Sequence, residues 1–393
     1  MGPVSGSSTV FFTGHMVDRP GRVPPRFPAT RAVEIGKRIA GELEVLQATD
    51  GFAAAACGGD ILFFEAMLAR GGRVHITLPC ALDEFRRDCV DVIPGSDWAA
   101  RFERILQQAS SLQVLSQQYA SDNAMASECC SRVMVGLAAR QAAMKCEEPV
   151  VLTLWDGRPG DAFGGTQSIV QFCMQNGFRV RWMTDLAPAG TAETRDLSPA
   201  VNTSAIRHET LAAEAPQQIC AAVFADAVGF SKLREREVPL FSRLYLTAAM
   251  SALQAHFLVP LVKNTWGDGL YLVFESVRDA GLFALDFRDR IVGTHWQELG
   301  LSAAMSLRVG IHAGPLYRIY DPVIGQWSYT GAHVTRAARL EPSTDPGKVF
   351  ATLAFAALAA AQRVAEFHCR AVGHRELVKG AGEFELFELV RDG

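Results

Sequence analysis

Short apolar runs alternate with stretches of helical apolar spacing over residues 1–186, and this alternation constrains the chain more than any other feature. A strand that is apolar on both sides needs cover on both faces, and helices placed between successive strands supply it. TVFFT (Thr9 to Thr13) reads as the first strand and ends at Gly14. Thr30 to Leu46 follows as a helix, with Val33, Ile35, Ile39, Ala40 and Leu43 at helical spacing. Phe52 to Ala56, Arg73 to Leu78, Leu112 to Leu115, Val150 to Trp155 and Phe178 to Met183 read as further strands. Helices are expected between them near Ile61 to Ala69, Trp98 to Gln108, Ser131 to Met144 and Gln167 to Asn176. The expected fold is α/β, a doubly wound, mostly parallel sheet.

The alternation stops in residues 187–216. Ala187 to Glu214 is rich in small and polar residues and reads as a linker. A different pattern occupies 217–393. Ala221 to Ala225 is a strand, Val238 to Phe257 a long helix, and Leu261 to Trp266 and Leu270 to Phe274 two strands joined at Gly267-Asp268-Gly269, an Asp-Gly hairpin signal. A helix over Val277 to Val292, a strand over Met305 to Ala313 and a short helix over Ala332 to Leu340 complete a split β-α-β-β-α-β arrangement. Extra strands are expected near Ala365 to Gly373 and Glu383 to Val390. The second domain is therefore expected to be α+β and ferredoxin-like.

Composition excludes several classes. Lys and Arg number 38 against 42 Asp and Glu, so a broad nucleic-acid-binding face is not expected. No apolar run approaches the roughly 18 residues of a membrane span, and the first residues lack a secretory signal pattern. Nine cysteines without C-x-x-C spacing read as reduced thiols, which makes a cytoplasmic protein the expectation.

Five blocks in the second domain carry chemistry. They are VFADAVGFSKL (Val223 to Leu233), NTWGDGLYLVF (Asn264 to Phe274), LRVGIHAGPLY (Leu307 to Tyr317), GAHVTRAARLEP (Gly331 to Pro342) and LVKGAGEFELFEL (Leu377 to Leu389). In this order they resemble class III adenylate/guanylate cyclase catalytic domains. The resemblance implies attack of a ribose 3′-oxygen on the α-phosphate, yielding a 3′,5′-cyclic nucleotide and pyrophosphate. Such a phosphoryl transfer needs little covalent help and much charge neutralisation. Two carboxylates suit two Mg²⁺ or Mn²⁺ ions held about 3.5–4 Å apart. By resemblance Asp226 and Asp268 are the metal ligands, with the backbone of Ala227 beside them. Val228, Gly229, Phe230 and Ser231 would cradle phosphate oxygens.

Arg339 matches the family arginine at the α-phosphate, a role suited to a permanently charged planar fork. Lys379 matches the phosphate-binding lysine, and Thr335 stands where the family has a ribose-orienting asparagine. The family's sites lie between two subunits. One gives the metal aspartates and the other the base-reading residues, arginine and lysine. This chain carries both sets, so the resemblance implies a head-to-tail homodimer with two shared sites.

The base stays open. Adenine-selective members use Lys with Asp or Thr at two base contacts, and guanine-selective members use Glu with Cys or similar. The matching positions here are Asn264 and Ser328, and Lys263 would face the other way on an alternating strand. Trp266 and Tyr329 are expected to crowd the base pocket. ATP, and UTP or CTP for cyclic UMP or cyclic CMP in anti-phage signalling, are both compatible. A second reading is a catalytically inactive nucleotide receptor on the same fold, kept open by Thr335 and the unmatched base contacts.

The first domain resembles, more loosely, nucleotide-sensing domains related to lysine-decarboxylase-like and TIR-like proteins. Gly14 and His15 follow its first strand, and Gly58, Gly59 and Asp60 follow its second. Strand C-terminal ends are where open α/β sheets bind ligands, so these residues are the expected site of a nucleotide-like regulator. A third reading gives this domain its own activity, such as N-glycosidic cleavage of a nucleotide, with Glu65 as the carboxylate.

Overall fold

The computed structural model describes residues 8–117, 123–158, 165–183, 194–197, 216–301, 305–378 and 382–391. The chain separates into two compact units, Met1–His208 with Ala360–Gln362, and Glu209–Ala359 with Arg363–Gly393. Helices and strands are both abundant and build one sheet in each unit. Most of the stretch expected to be a linker lies outside the described residues.

In the first unit the elements run β1 (Ser8–Gly14), α1 (Ala32–Val45), β2 (Ala48–Ala53), α2 (Gly59–Ala69), β3 (Arg73–Leu78), α3 (Leu82–Phe85), α4 (Trp98–Gln108), β4 (Ser111–Val114), α5 (Ala124–Ala143), β5 (Val150–Leu154), α6 (Thr166–Gln175), β6 (Arg179–Met183) and β7 (Thr194–Leu197). The sheet order is β4-β3-β2-β1-β5-β6-β7. Every pair is parallel except β6 with β7. The chain winds outward from β1 to β4, then crosses to β5, so the winding direction reverses between β1 and β5. Neighbouring residues of β1 bury on opposite faces: Val10 and Phe12 join Ile35, Ile39, Ile61 and Phe64, while Phe11 joins Met134, Val135, Ile169 and Val170.

Strand pairing and local side-chain caps account for three departures from the expected boundaries. β2 starts early, at Ala48, because it follows β1 from Ser8 onward, and it stops at Ala53. Beyond it the Asp60 carboxylate accepts from the Ala54, Ala55 and Ala56 amides, folding the chain into a turn. α5 starts at Ala124 because Asn123 caps it, accepting from the Ala126 amide at 2.9 Å. β7 lies inside the expected linker and pairs antiparallel with β6.

The second unit runs β8 (Gln217–Val228), α7 (Val238–Ala255), β9 (Val262–Trp266), β10 (Gly269–Phe274), α8 (Val277–Val292), β11 (Ser306–Asp321), β12 (Gln326–Thr330), α9 (Ala332–Leu340), β13 (Lys348–Thr352), α10 (Leu353–Ala361), β14 (His368–Glu376) and β15 (Glu383–Val390). Its order is β14-β15-β13-β11-β8-β10-β9, with β12 paired to β11. The strands β11-β8-β10-β9 are the split β-α-β-β-α-β core, antiparallel throughout. α8 packs on one face with α7. α9 packs on the other, where β11 offers the small residues Gly310 and Gly314.

His312 of β11 and His333 of α9 meet inside this second packing. Their rings stack with centroids 4.8 Å apart, and His312 also meets Thr352 Oγ1 at 2.6 Å. Burial holds both imidazoles well below their ordinary range, His333 at about 3, and the nearby Arg336 adds to the shift. Their stability contribution is therefore complete above pH 6.5, where the unfolded histidines are also neutral, and is lost as pH falls from there toward 3. A variant His333→Gln is expected to melt below wild type at pH 7.5. Its deficit should shrink by about 1.4 kcal/mol for each pH unit below 6.5. Comparing the two proteins cancels buried carboxyls such as Glu341, whose raised pKa pulls the opposite way. A deficit independent of pH would assign the pair a packing role alone.

Candidate active site

β8 does not stop at Ala225, where the expected strand ended, but runs on to Val228 because β11 pairs with it as far as Ser306. Asp226 therefore lies inside the strand, opposite Gly269 on one side and Arg308 on the other. The hairpin corner differs from the expected Asp-Gly pair in the same way. Trp266 and Gly269 close the ladder, so Gly267 and Asp268 are the two corner residues. Gly267 has φ +61°, as a type II′ turn requires at its first corner. The corner is tied to β8 by a hydrogen bond from the Ala227 amide to the Asp268 carbonyl, at 3.2 Å. Asp226, Ala227 and Asp268 are thus brought together by strand register and one backbone bond.

The Asp268 carboxyl feels both its surroundings and its acidic neighbour. Burial raises the pKa of Asp268, and the charge on Asp226 raises it further. The Tyr245 phenol is buried beside this acidic group and is pushed well above its ordinary range, first by burial and then by Asp226, Asp268 and Glu341.

The remaining expected residues fall as follows. Val228 ends β8, Gly229 has φ +101°, and Phe230 and Ser231 open a single 3-10 turn that closes at Lys232. Thr335 and Arg339 lie one helical turn apart on α9. Thr335 is exposed and donates its hydroxyl to the Gly331 carbonyl at 3.3 Å. Lys379 lies outside the described residues. Asn264 of β9 stands opposite Tyr271 of β10, and the Tyr271 hydroxyl donates to the Tyr329 carbonyl, next to Ser328. Lys263 is exposed and pairs with Leu272 instead.

The two aromatics expected to crowd the pocket divide. Trp266 is 53% exposed, whereas Tyr329 is buried in the α9-side core with its hydroxyl donating to Gln218 Oε1 at 3.0 Å. Ser328 and Tyr329 are neighbours on an alternating strand, so only one of them can face the core.

In the first unit Gly14, His15, Gly58, Gly59 and Asp60 also come together, at the reversal of strand order. Their polar groups are engaged within the chain. The Gly59 amide, at the start of α2, donates to the His15 carbonyl at 3.1 Å. His15 Nε2 is 3.3 Å from Asp156 Oδ1, and Arg26 grips the same carboxylate at 2.8 and 2.5 Å. That guanidinium helps hold Asp156 down at about 2. Gly58 is required by close approach: a Cβ there would lie 2.5 Å from the Val17 amide nitrogen. Glu65 is paired with Arg101.

Sequence reading passed over two residues. Arg308 donates from Nη2 to Asp226 Oδ2 at 2.7 Å, and its Nε lies 3.0 Å from Glu341 Oε1. Burial pushes the Glu341 carboxyl up to about 7, with Arg308 opposing. The signal was present: Arg308 is the one charged residue in the apolar run LRVGI, and such a residue needs a partner.

Among the described residues no helix is long and apolar enough to cross a membrane. Residues 212–391 match the family model described as the adenylate and guanylate cyclase catalytic domain. A protein of Acanthamoeba polyphaga mimivirus named "Putative serine/threonine-protein kinase/receptor" is 23% identical over 153 residues, which are 33% of this chain and 9% of that protein. The chain thus spans about a tenth of that relative's length. The adenylyl cyclase CyaB from P. aeruginosa superposes with a TM-score of 0.39 at 16% identity, over 46% of this chain and 97% of its own. The guanylate cyclase domain of RhGC from Catenaria anguillulae, in complex with GTP, gives 0.39 at 16% identity, over 46% of this chain and 100% of its own. Residues 212–391 thus carry the match to the adenylate and guanylate cyclase catalytic domain, which supports a nucleotidyl cyclase enzyme.

Proposed function

We propose that this domain converts a nucleoside triphosphate into a 3′,5′-cyclic nucleotide and pyrophosphate, working as a head-to-tail homodimer with two shared sites. The observation that carries the proposal is the side-by-side arrangement of Asp226 and Asp268, tied by the Ala227 amide. Two crowded carboxylates are a poor arrangement for stability and a good one for hard divalent cations. Mg²⁺ bound by one or two carboxylates takes its other ligands from phosphates and water. When bound, Mg²⁺ or Mn²⁺ would neutralise phosphate charge and ease loss of the ribose 3′-hydroxyl proton.

The chain's own groups do the rest in this reading. Arg339 and Lys379 would stabilise charge on the α-phosphate and the departing pyrophosphate from the neighbouring subunit. Asn264 and Ser328 would read the base through neutral hydrogen bonds, Asn264 offering both a donor and an acceptor. Trp266, Tyr320, Val323, Ile324 and Trp327 are large apolar residues left 47–91% exposed on this unit. Exposed apolar surface of this kind is consistent with a partner subunit.

Incubating the purified full chain with each of the four NTPs, with Mn²⁺ and with Mg²⁺, tests the proposal. One cyclic mononucleotide and an equal amount of pyrophosphate, identified by mass, are expected. Conversion of ATP alone would remove the pyrimidine reading. Tight binding of an NTP with no product would establish the receptor reading instead, which the Thr335–Gly331 hydrogen bond favours because it already engages the hydroxyl aligned with the ribose-orienting side chain.

A further inference from the structure

We infer that Glu341 is a positioning residue for the metal site, acting through Arg308; the inference rests on the reading of Asp226 as a metal ligand. Asp226, Arg308 and Glu341 form a chain of alternating charge, with an ion pair of 2.7 Å between the first two and 3.0 Å between the last two. The strand register fixes its first link, since Arg308 lies directly across from Asp226. Backbone packing fixes the second. A Cβ on Gly310 would lie 2.5 Å from the Glu341 amide nitrogen and 2.8 Å from its Cα, so only glycine lets β11 press this closely on the end of α9. One turn further, Thr344 Oγ1 bonds the Leu340 carbonyl at 3.1 Å and reaches Val309 O at 3.5 Å, anchoring the same segment to β11.

A guanidinium beside a metal-binding carboxylate is a competitor for it as well as an orienting donor. Glu341, an ion-pair distance from the Nε edge of the fork, takes part of that positive charge, so Arg308 orients Asp226 without neutralising it. With Glu341 uncharged, the whole guanidinium charge turns on Asp226 and the carboxylate binds cations less well. Partners of metal ligands commonly change metal affinity by 10–100-fold when removed.

The test is Mn²⁺ affinity of the full-length protein at pH 8, measured from free Mn²⁺ by electron paramagnetic resonance, with no nucleotide present. Glu341→Gln is expected to weaken binding about tenfold, while Glu341→Asp, which keeps the charge, is expected to recover part of the loss. In an Arg308→Gln background the Glu341→Gln change should add nothing, because its route to Asp226 is gone. Additive effects of the two substitutions, or unchanged affinity in a folded Glu341→Gln protein, would overturn the inference. If Glu341→Gln unfolds, the Glu341→Asp and Arg308→Gln arms decide the matter. Asp226→Asn separates the levels: if it leaves Mn²⁺ binding intact, the metal-ligand reading fails, and the role of Glu341 fails with it.

Discussion

Asp268→Ala is expected to lower cyclic nucleotide formation by about 100-fold or more while leaving the melting temperature unchanged or slightly higher. The two halves of this expectation come from one arrangement. Asp268 occupies a corner whose backbone, not its side chain, makes the link to β8, since it is the Asp268 carbonyl that accepts from Ala227. Its carboxyl is held above the ordinary range by burial and by the charge on Asp226, so its ionised form is disfavoured in the metal-free fold. Removing it relieves that repulsion and breaks no described hydrogen bond from the carboxyl to another residue. A site that stores unfavourable charge for function typically shows this trade of stability against activity. Activity assays and melting curves on the same preparations check it. A large fall in melting temperature would make Asp268 a structural corner residue, and full activity would end the two-metal reading.

Local pattern exposed most of the architecture, because it depends on near neighbours. Val277 to Val292, Ala332 to Leu340 and Glu383 to Val390 have the extents their apolar spacing implied. What periodicity missed was set by pairing with other strands. β12 (QWSYT) is short and half polar, and it is a strand because it folds back on the far end of β11. β8 extends past Asp226 only because β11 lies beside it.

The site divides along the same line. Asp226 and Asp268 could be named from motif and turn chemistry. Glu341 could not, since its meeting with Arg308 depends on how closely α9 packs at Gly310. In the first unit the glycines are where the sequence put them, but Gly58 is explained by close packing and Asp60 by its grip on the Ala54 to Ala56 amides. Short glycine turns before helices arise for packing and for ligands alike, and the amino-acid pattern does not separate the two.

Mixing two inactive variants is expected to restore activity if each site is shared between subunits. Asp226→Asn removes one half of a site and Arg339→Ala the other, so each variant alone forms dimers with two defective sites. In a mixed dimer one site combines the intact Asp226 of one chain with the intact Arg339 of the other. The second site collects both defects. Random pairing at equal amounts puts half the dimers in the mixed form, each with one working site of two, so recovery should approach about a quarter of wild-type activity per chain. Recovery should also take time after mixing, since existing dimers must first exchange subunits. The measurement is cyclic nucleotide formation by the two purified variants, separately and after incubation together. Sedimentation of the same mixtures should give a single dimeric species. Separate variants that stay inactive and never complement, although shown to be exchanging dimers, would place Asp226 and Arg339 in one and the same subunit's site. The head-to-tail arrangement would then fall, while the chemistry assigned to the two aspartates could stand.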